Sequence, residues 1–333
     1  MSLAVLRRNM MITMLLLFGT IFALISVVIY YFDITLYFTV PLVLLFVAFQ
    51  WLISPSIVSW SAKLRYLKPG ENTFLENMVH TLAKKSQVPP PRIAVAPDKT
   101  PNAFVFGRTP SSTTLAVHEG LLQFRPEEIE AVVAHEIGHI KHNDVVIMTV
   151  ASAVPLVAYV IARSFLWGGR GRRKNAGSIL IVAAVSFLVY LVSQLLVLYL
   201  SRSREYFADT YSAYLTGEPR NLRSALAKIS YGLSLSPKES TGLRAFYIGD
   251  PQKSKDEIKT IIQKKSEYDL DRDGVLDEHE LELAMVKEAK SPFGQANDLF
   301  STHPTTFKRI LLLKRIEDEL DRGKFTGDIY RFI

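Results

Sequence analysis

The sequence predicts an α+β chain, a mostly helical polar core with a small sheet, attached to four transmembrane helices. Three observations predict it. Four apolar runs are each about as long as a bilayer-crossing helix. Between the second and third run lies a polar block with short strand-like stretches. Past that block, and again after the fourth run, the pattern is helical.

The apolar runs set the organisation. Residues 1–54 form a membrane anchor with spans at 10–32 and 34–54, parted only by Asp33. Residues 145–200 form a hairpin with spans at 145–162 and 178–200. A helix crosses hydrocarbon because its backbone hydrogen bonds are satisfied internally. The first run is too long for a secretory signal, and the bulky stretch "VIYYFDIT" offers no small-residue cleavage site, so it reads as a retained anchor. Arg7 and Arg8 before the first span, and Lys63, Arg65 and Lys68 after the second, place both flanks in the cytoplasm. The loop of the second hairpin resists the same rule, because Arg163, Arg170, Arg172, Arg173 and Lys174 lie in it. Either that loop violates the rule or the hairpin inserts without fully crossing.

The chain has 333 residues, 49% hydrophobic, and no cysteine, which excludes disulfides, thiolate zinc sites and iron–sulfur clusters. Its net charge of +7 follows from basic residues flanking membrane helices, so no nucleic-acid partner is expected.

In residues 55–144, the first part of the core, "ENTFLENMVHTLAKKSQ" reads as a helix, stopped by Pro89, Pro90 and Pro91. Strand-like runs follow at "RIAVA", "NAFVFG" and "TTLAVHEGLL". Pro126 then suits a first helical turn, and Glu127, Glu128 and Glu130 suit the positive end of a helix dipole. That helix carries "HEIGH". His135 and His139, four apart, lie on one face and can grip one Zn²⁺, while Glu136 can accept a proton from a metal-bound water. Gly138 in mid-helix costs about 1 kcal/mol against alanine and suits a place where another backbone comes close. Zinc in a hydrolase takes a third protein ligand. Residues 201–333 supply one in "SRSREYFAD": Glu205 as ligand, with Asp209 on the same face bonding the outer nitrogen of a ligand histidine. An exposed acidic pair beside Arg202 and Arg204 is the alternative for this segment alone.

"AVVAHEIGHIKHND", "SRSREYFAD" and "STHPTTFKRI", in that order, resemble the HtpX family of membrane zinc metalloproteases, relatives of the CAAX prenyl-protein endopeptidase within the gluzincins. The resemblance implies a zincin-like metalloprotease core and one zinc on His135, His139 and Glu205, with Glu136 as general base. It adds His303 and Arg309 as catalytic groups, His303 stabilising the oxyanion. "NAFVFG" matches the family's edge strand, so Asn102, Ala103 and Phe104 would pair with an extended substrate, although an ordinary buried strand reads the same way. It also implies a multi-pass plasma-membrane protein whose catalytic part faces the cytoplasm. Its partners would be membrane lipid and protein substrates, misfolded membrane proteins above all.

One stretch departs from that family pattern. "DLDRDGVLDEHE" is written like an EF-hand loop, with Asp269, Asp271, Asp273, the Val275 carbonyl, Asp277 and Glu280 as calcium ligands and Gly274 at the sharp turn. It lies in an insertion at about 251–290. An acidic surface turn is the alternative reading. Two other functions stay open at this point: a CAAX-type prenyl protease, and a non-catalytic membrane calcium-binding protein.

Overall fold

The computed structural model describes residues 12–25 without residues 14, 18 and 22, then 36–168, 176–235, 247–273, 276–288 and 301–322. The fold is mostly helical with one small mixed sheet. Two compact units are present: one gathers Pro55–Val145 and Ser201–Ile333, the other Ala4–Ser54 and Val146–Leu200.

In the first unit, four strands form a sheet in the order β1-β2-β4-β3: β1 Arg65–Tyr66, β2 Arg92–Ala96, β3 Ala103–Phe106 and β4 Thr114–His118. The pair β2–β4 is parallel, while β1–β2 and β3–β4 are antiparallel. β1 is too short to have been read from the sequence, and the predicted third strand stops at His118, where "GLL" leads into a 3₁₀ turn. β3 is an edge strand.

Helix α1 (Leu36–Ser61) precedes the sheet, and α2 (Thr73–Ser86) is capped at its start by the Asn72 side chain, which accepts from the Leu75 backbone N–H. Helix α3 (Pro126–Lys141) carries the histidine motif. Its first turn is as the sequence predicts, Pro126 leading and Glu128 closing back on the Arg125 N–H at 3.0 Å. Glu128 is fully buried and also meets Lys228 of α6 (Pro219–Ser234) at 2.8 Å. Burial alone would raise its carboxyl; Arg125, Lys228 and Ser224 instead hold it at about 2, which locks α3 to α6.

Helix α3 ends abruptly. Asn143 adopts a left-handed conformation (φ 58°), and a new helix, α4 (Asp144–Gly168), starts at the next residue. Asparagine tolerates that conformation better than most residues. Helix α5 runs unbroken over Ala176–Thr216, so its last turns, bearing Glu205 and Asp209, continue the apolar helix. Helices α7 (Pro251–Gln263), α8 (Lys265–Tyr268), α9 (Glu278–Glu288) and α10 (Thr306–Asp321) complete the unit. Its core joins Leu75, Val79 and Leu82 of α2 with Leu115 and Val117 of β4. Ile137 of α3, Leu222 of α6 and Phe307 and Ile310 of α10 fill the rest.

In the second unit, Leu17, Ala151, Val154, Val197 and Leu200 pack together. Among the described residues two helices, Asp144–Arg163 and Ile179–Thr216, are long and apolar enough to cross a membrane. Both correspond to the hairpin read at 145–162 and 178–200. The run at 34–54 falls on α1, whereas the run at 10–32 lies partly outside the described residues, as do Arg170, Arg172, Arg173 and Lys174 of the hairpin loop.

Candidate metal centre

The histidine spacing does what helical geometry requires: His135 and His139 present their Nε2 atoms 3.2 Å apart. Glu205 arrives from α5, one carboxylate oxygen 3.6 Å from His135 Nε2 and the other 3.6 Å from His139 Nε2. Tetrahedral zinc with bonds of about 2.0–2.2 Å separates its ligand atoms by roughly 3.3–3.5 Å. The two imidazoles and the carboxylate that faces them are therefore spaced close to what zinc needs, and two neutral imidazoles with one carboxylate are a chemically apt set. Glu136 is close as well: His135, Glu136 and His139 each offer a ligand atom within 4.8 Å of the others. Its carboxylate takes a hydrogen bond from the backbone N–H of Val105 on β3, so it stands between the metal position and the edge strand.

This convergence depends on how closely α3 and α5 approach. A Cβ placed on Gly138 would lie 3.2 Å from Ala208 Cα, one residue before Asp209. Alanine there would have to push the two helices apart by a few tenths of an ångström. The helix-weakening glycine is explained by that contact.

The site is buried and densely charged. His135 is fully inaccessible, Glu136, Glu205 and His303 nearly so, and His139 is partly open. Burial opposes a charge on His135, yet its bonds to Asp209 and Glu205 raise it to about 9. Burial raises Glu136 to about 8 against the opposing pull of His135. Burial and the neighbouring His135 charge hold His139 well below the ordinary histidine value.

Each histidine is oriented from behind. His135 Nδ1 lies 2.9 Å from Asp209 Oδ1, as the sequence reading expects of Asp209. Arg309 of α10 grips Asp209 with two bonds, Nε to Oδ2 at 2.8 Å and Nη2 to Oδ1 at 2.6 Å. It also reaches Glu205 at 3.2 Å and the Ile248 carbonyl. Arg309 thus spends its donors on protein carboxylates and one backbone oxygen, with Nη2 also 3.5 Å from His135 Nε2. His303 lies 3.5 Å from Glu205 Oε1 through Nδ1, and neither of its buried ring nitrogens makes a hydrogen bond among the described residues.

The edge strand lies beside α3. The His118 N–H donates to the Asn102 carbonyl at 2.9 Å, and the register then pairs Phe104 with Ala116. Backbone pairing alternates along an antiparallel strand. Asn102 and Phe104 therefore direct their backbone groups at β4, while Ala103 and Val105 face the open edge. The Asn102 side chain is also engaged, accepting from the Ile248 N–H at 2.9 Å.

Sequence reasoning missed three things here: Val105, His118 and Asp144. His118 packs edge-on against Phe104 and Tyr247, with Nδ1 3.0 Å from the Thr100 carbonyl. Asp144 lies 2.6 Å from His139 Nδ1 and pairs with Arg204.

In the acidic loop, Asp269, Asp271 and Asp273 each bring a carboxylate oxygen within 4.8 Å of the others. Glu280 is buried and accepts from the backbone N–H groups of Leu270 and Asp277. Gly274 and Val275 lie outside the described residues.

Residues 69–317 match peptidase family M48. Protease HtpX homolog 2 of Methanosarcina acetivorans is 35% identical over 83% of this chain and 83% of its own length. Protease HtpX homolog 2 of Methanosarcina mazei is 32% identical over 95% of this chain and 96% of its own. Among solved structures, S. mikatae Ste24p is similar at a TM-score of 0.44 and 22% identity, covering 68% of this chain and 58% of that one.

Proposed function

This chain belongs to peptidase family M48, and we propose that its metal is one zinc ion held by His135, His139 and Glu205, with Glu136 as general base. The chain is a membrane metalloprotease of the HtpX type, and zinc is the cofactor its family implies. The observation that carries the residue assignment is the pair of Nε2 atoms 3.2 Å apart with the Glu205 carboxylate astride them, one oxygen 3.6 Å from each ring.

When bound, zinc polarises the scissile carbonyl and makes a water molecule acidic enough to attack near neutral pH. The rest is the work of the chain. Glu136, between the metal position and β3, accepts the proton of the attacking water and passes it to the leaving amine. Ala103 and the carbonyl of Val105, on the open edge of β3, pair with an extended peptide and hold its carbonyl in reach, while the Val105 N–H stays with Glu136. His303 brings a buried imidazole to within 3.5 Å of Glu205 and donates to the oxyanion. Arg309 acts on the ligands and not on the substrate, through Asp209 and Glu205.

The acidic loop is read as a calcium site on Asp269, Asp271, Asp273, Asp277, Glu280 and the Val275 carbonyl, since hard oxygen donors at that spacing suit Ca²⁺. Helix α9 behind it is tied to the core, Arg223 of α6 pairing with Glu282 and with Glu317 of α10. Metal analysis of purified protein tests both sites. Wild type is expected to hold one zinc and one calcium, with H135A losing only zinc and E280Q only calcium. Zinc retained by H135A would remove the catalytic assignment.

The substrates are proteins of the same membrane, reached from the cytoplasmic side, and the chain crosses the bilayer four times. The basic flanks at Arg7, Arg8, Lys63, Arg65 and Lys68 support this orientation. The natural chain has no cysteine, so single cysteines report topology cleanly. Cysteine introduced at exposed Glu127 is expected to resist an impermeant thiol reagent added outside intact cells and to react after lysis. Labelling from outside would reverse the orientation.

A further inference from the structure

Two histidines face each other across the metal position, and each is backed by the same kind of relay. His135 Nδ1 meets Asp209, which is held by Arg309. His139 Nδ1 meets Asp144 at 2.6 Å, which is held by Arg204. The spacing in sequence anticipates the first relay, because Asp209 is one helical turn past Glu205. It conceals the second. Five residues along a continuous helix would put Asp144 about 140° around from His139. The left-handed Asn143 breaks the helix and returns Asp144 to the histidine.

We propose that Asp144, fixed by Arg204, is a second positioning residue of the metal centre, which sets the orientation and tautomer of His139 and so the tightness of zinc binding. This rests on the reading of His139 as a ligand. A carboxylate on Nδ1 keeps the proton there and leaves the Nε2 lone pair pointing at His135 Nε2 and Glu205. Both partners are sequestered, Asp144 at 5% and Arg204 at 3% exposure, so their bond is shielded from water and salt. Arg204 also adjoins Glu205 in sequence on α5. One side chain faces Asp144 while the next faces the metal position, so one short segment supplies a ligand and the support of another ligand.

The location gives the pair a second consequence. Asp144 is the first residue of the helix whose following residues form the first hairpin span, and Arg204 lies four residues beyond Leu200, where the second span was read to end. The ion pair therefore joins the two chain ends of the membrane hairpin directly behind a zinc ligand.

The test is zinc affinity of the detergent-solubilised full chain, measured by competition with a chromophoric chelator, together with thermal unfolding of the zinc-free protein. D144A is expected to weaken zinc binding about 10–100-fold, as for other outer partners of metal-bound histidines. D144N keeps an acceptor of the same shape without the charge, and is expected to fall between D144A and wild type. R204M is expected to weaken zinc as well. If D144N and D144A both bind zinc as tightly as wild type while H139A loses it, the proposal is overturned, even if both variants melt earlier. Should D144A not fold, D144N decides alone. Should H139A bind zinc like wild type, the ligand assignment itself fails and the proposal with it.

Discussion

E136Q is expected to bind zinc normally and to cleave almost nothing. Glutamine keeps the shape of the side chain and its contact with the Val105 N–H, so α3, His135 and His139 stay where they are. What it loses is the ability to take a proton. Proton transfer by a positioned side chain contributes about 10²–10⁴-fold, equivalent to roughly 2.7–5.5 kcal/mol of barrier. Turnover should fall by that factor with little change in KM, because the lost interaction belongs to the transition state. The environment of Glu136 suits the role. Burial raises its carboxyl to about 8, which favours a group that takes up a proton readily. A dication beside it would favour the carboxylate, the form that accepts the proton. The assay is cleavage of a co-reconstituted membrane protein by wild type and E136Q at equal zinc content. Cleavage by E136Q at more than a tenth of the wild-type rate would remove Glu136 from the mechanism.

The features legible in the sequence share one property: they depend on periodicity within a single element. His135 and His139 at i, i+4 and Glu205 and Asp209 at i, i+4 are fixed by the helix alone, and both pairs fall where the periodicity places them. The acidic start of α3 and the close approach at Gly138 are local in the same sense. The rest is hidden wherever the chain breaks or chooses between two faces. Asp144 looks misplaced until Asn143 turns the helix. The parity of β3 is invisible in "NAFVFG", because a strand shifted by one residue exchanges its inner and outer backbone groups. The register with β4 decides it: of Asn102, Ala103 and Phe104, only Ala103 turns its backbone groups to the open edge, together with Val105. His118 meets Tyr247 only through tertiary packing, a contact that no local pattern encodes.

R309M is expected to lose stability as well as activity, and the coupling of the two losses identifies what Arg309 does. Methionine matches much of the volume but leaves Asp209 and Glu205 buried without their cation. Breaking a buried ion pair from one side costs about 3–5 kcal/mol. In a chain of this size that lowers the melting temperature by on the order of 10 °C. Asp209, no longer gripped through both oxygens, also loses its hold on His135, so zinc binding weakens in parallel. R309K separates charge from geometry. Lysine restores a cation but not the planar fork that meets both Asp209 oxygens and the Ile248 carbonyl together. It should recover part of the stability and little of the zinc affinity. An arginine that donated to the substrate oxyanion would give a different signature: R309M would unfold at the wild-type temperature, hold zinc as tightly, and fail only in turnover. Thermal unfolding with and without zinc, read beside kcat, tells the two apart. The bidentate bond to Asp209 predicts the first result, because a guanidinium already divided between two carboxylates and a carbonyl has no fork left for a transient oxyanion.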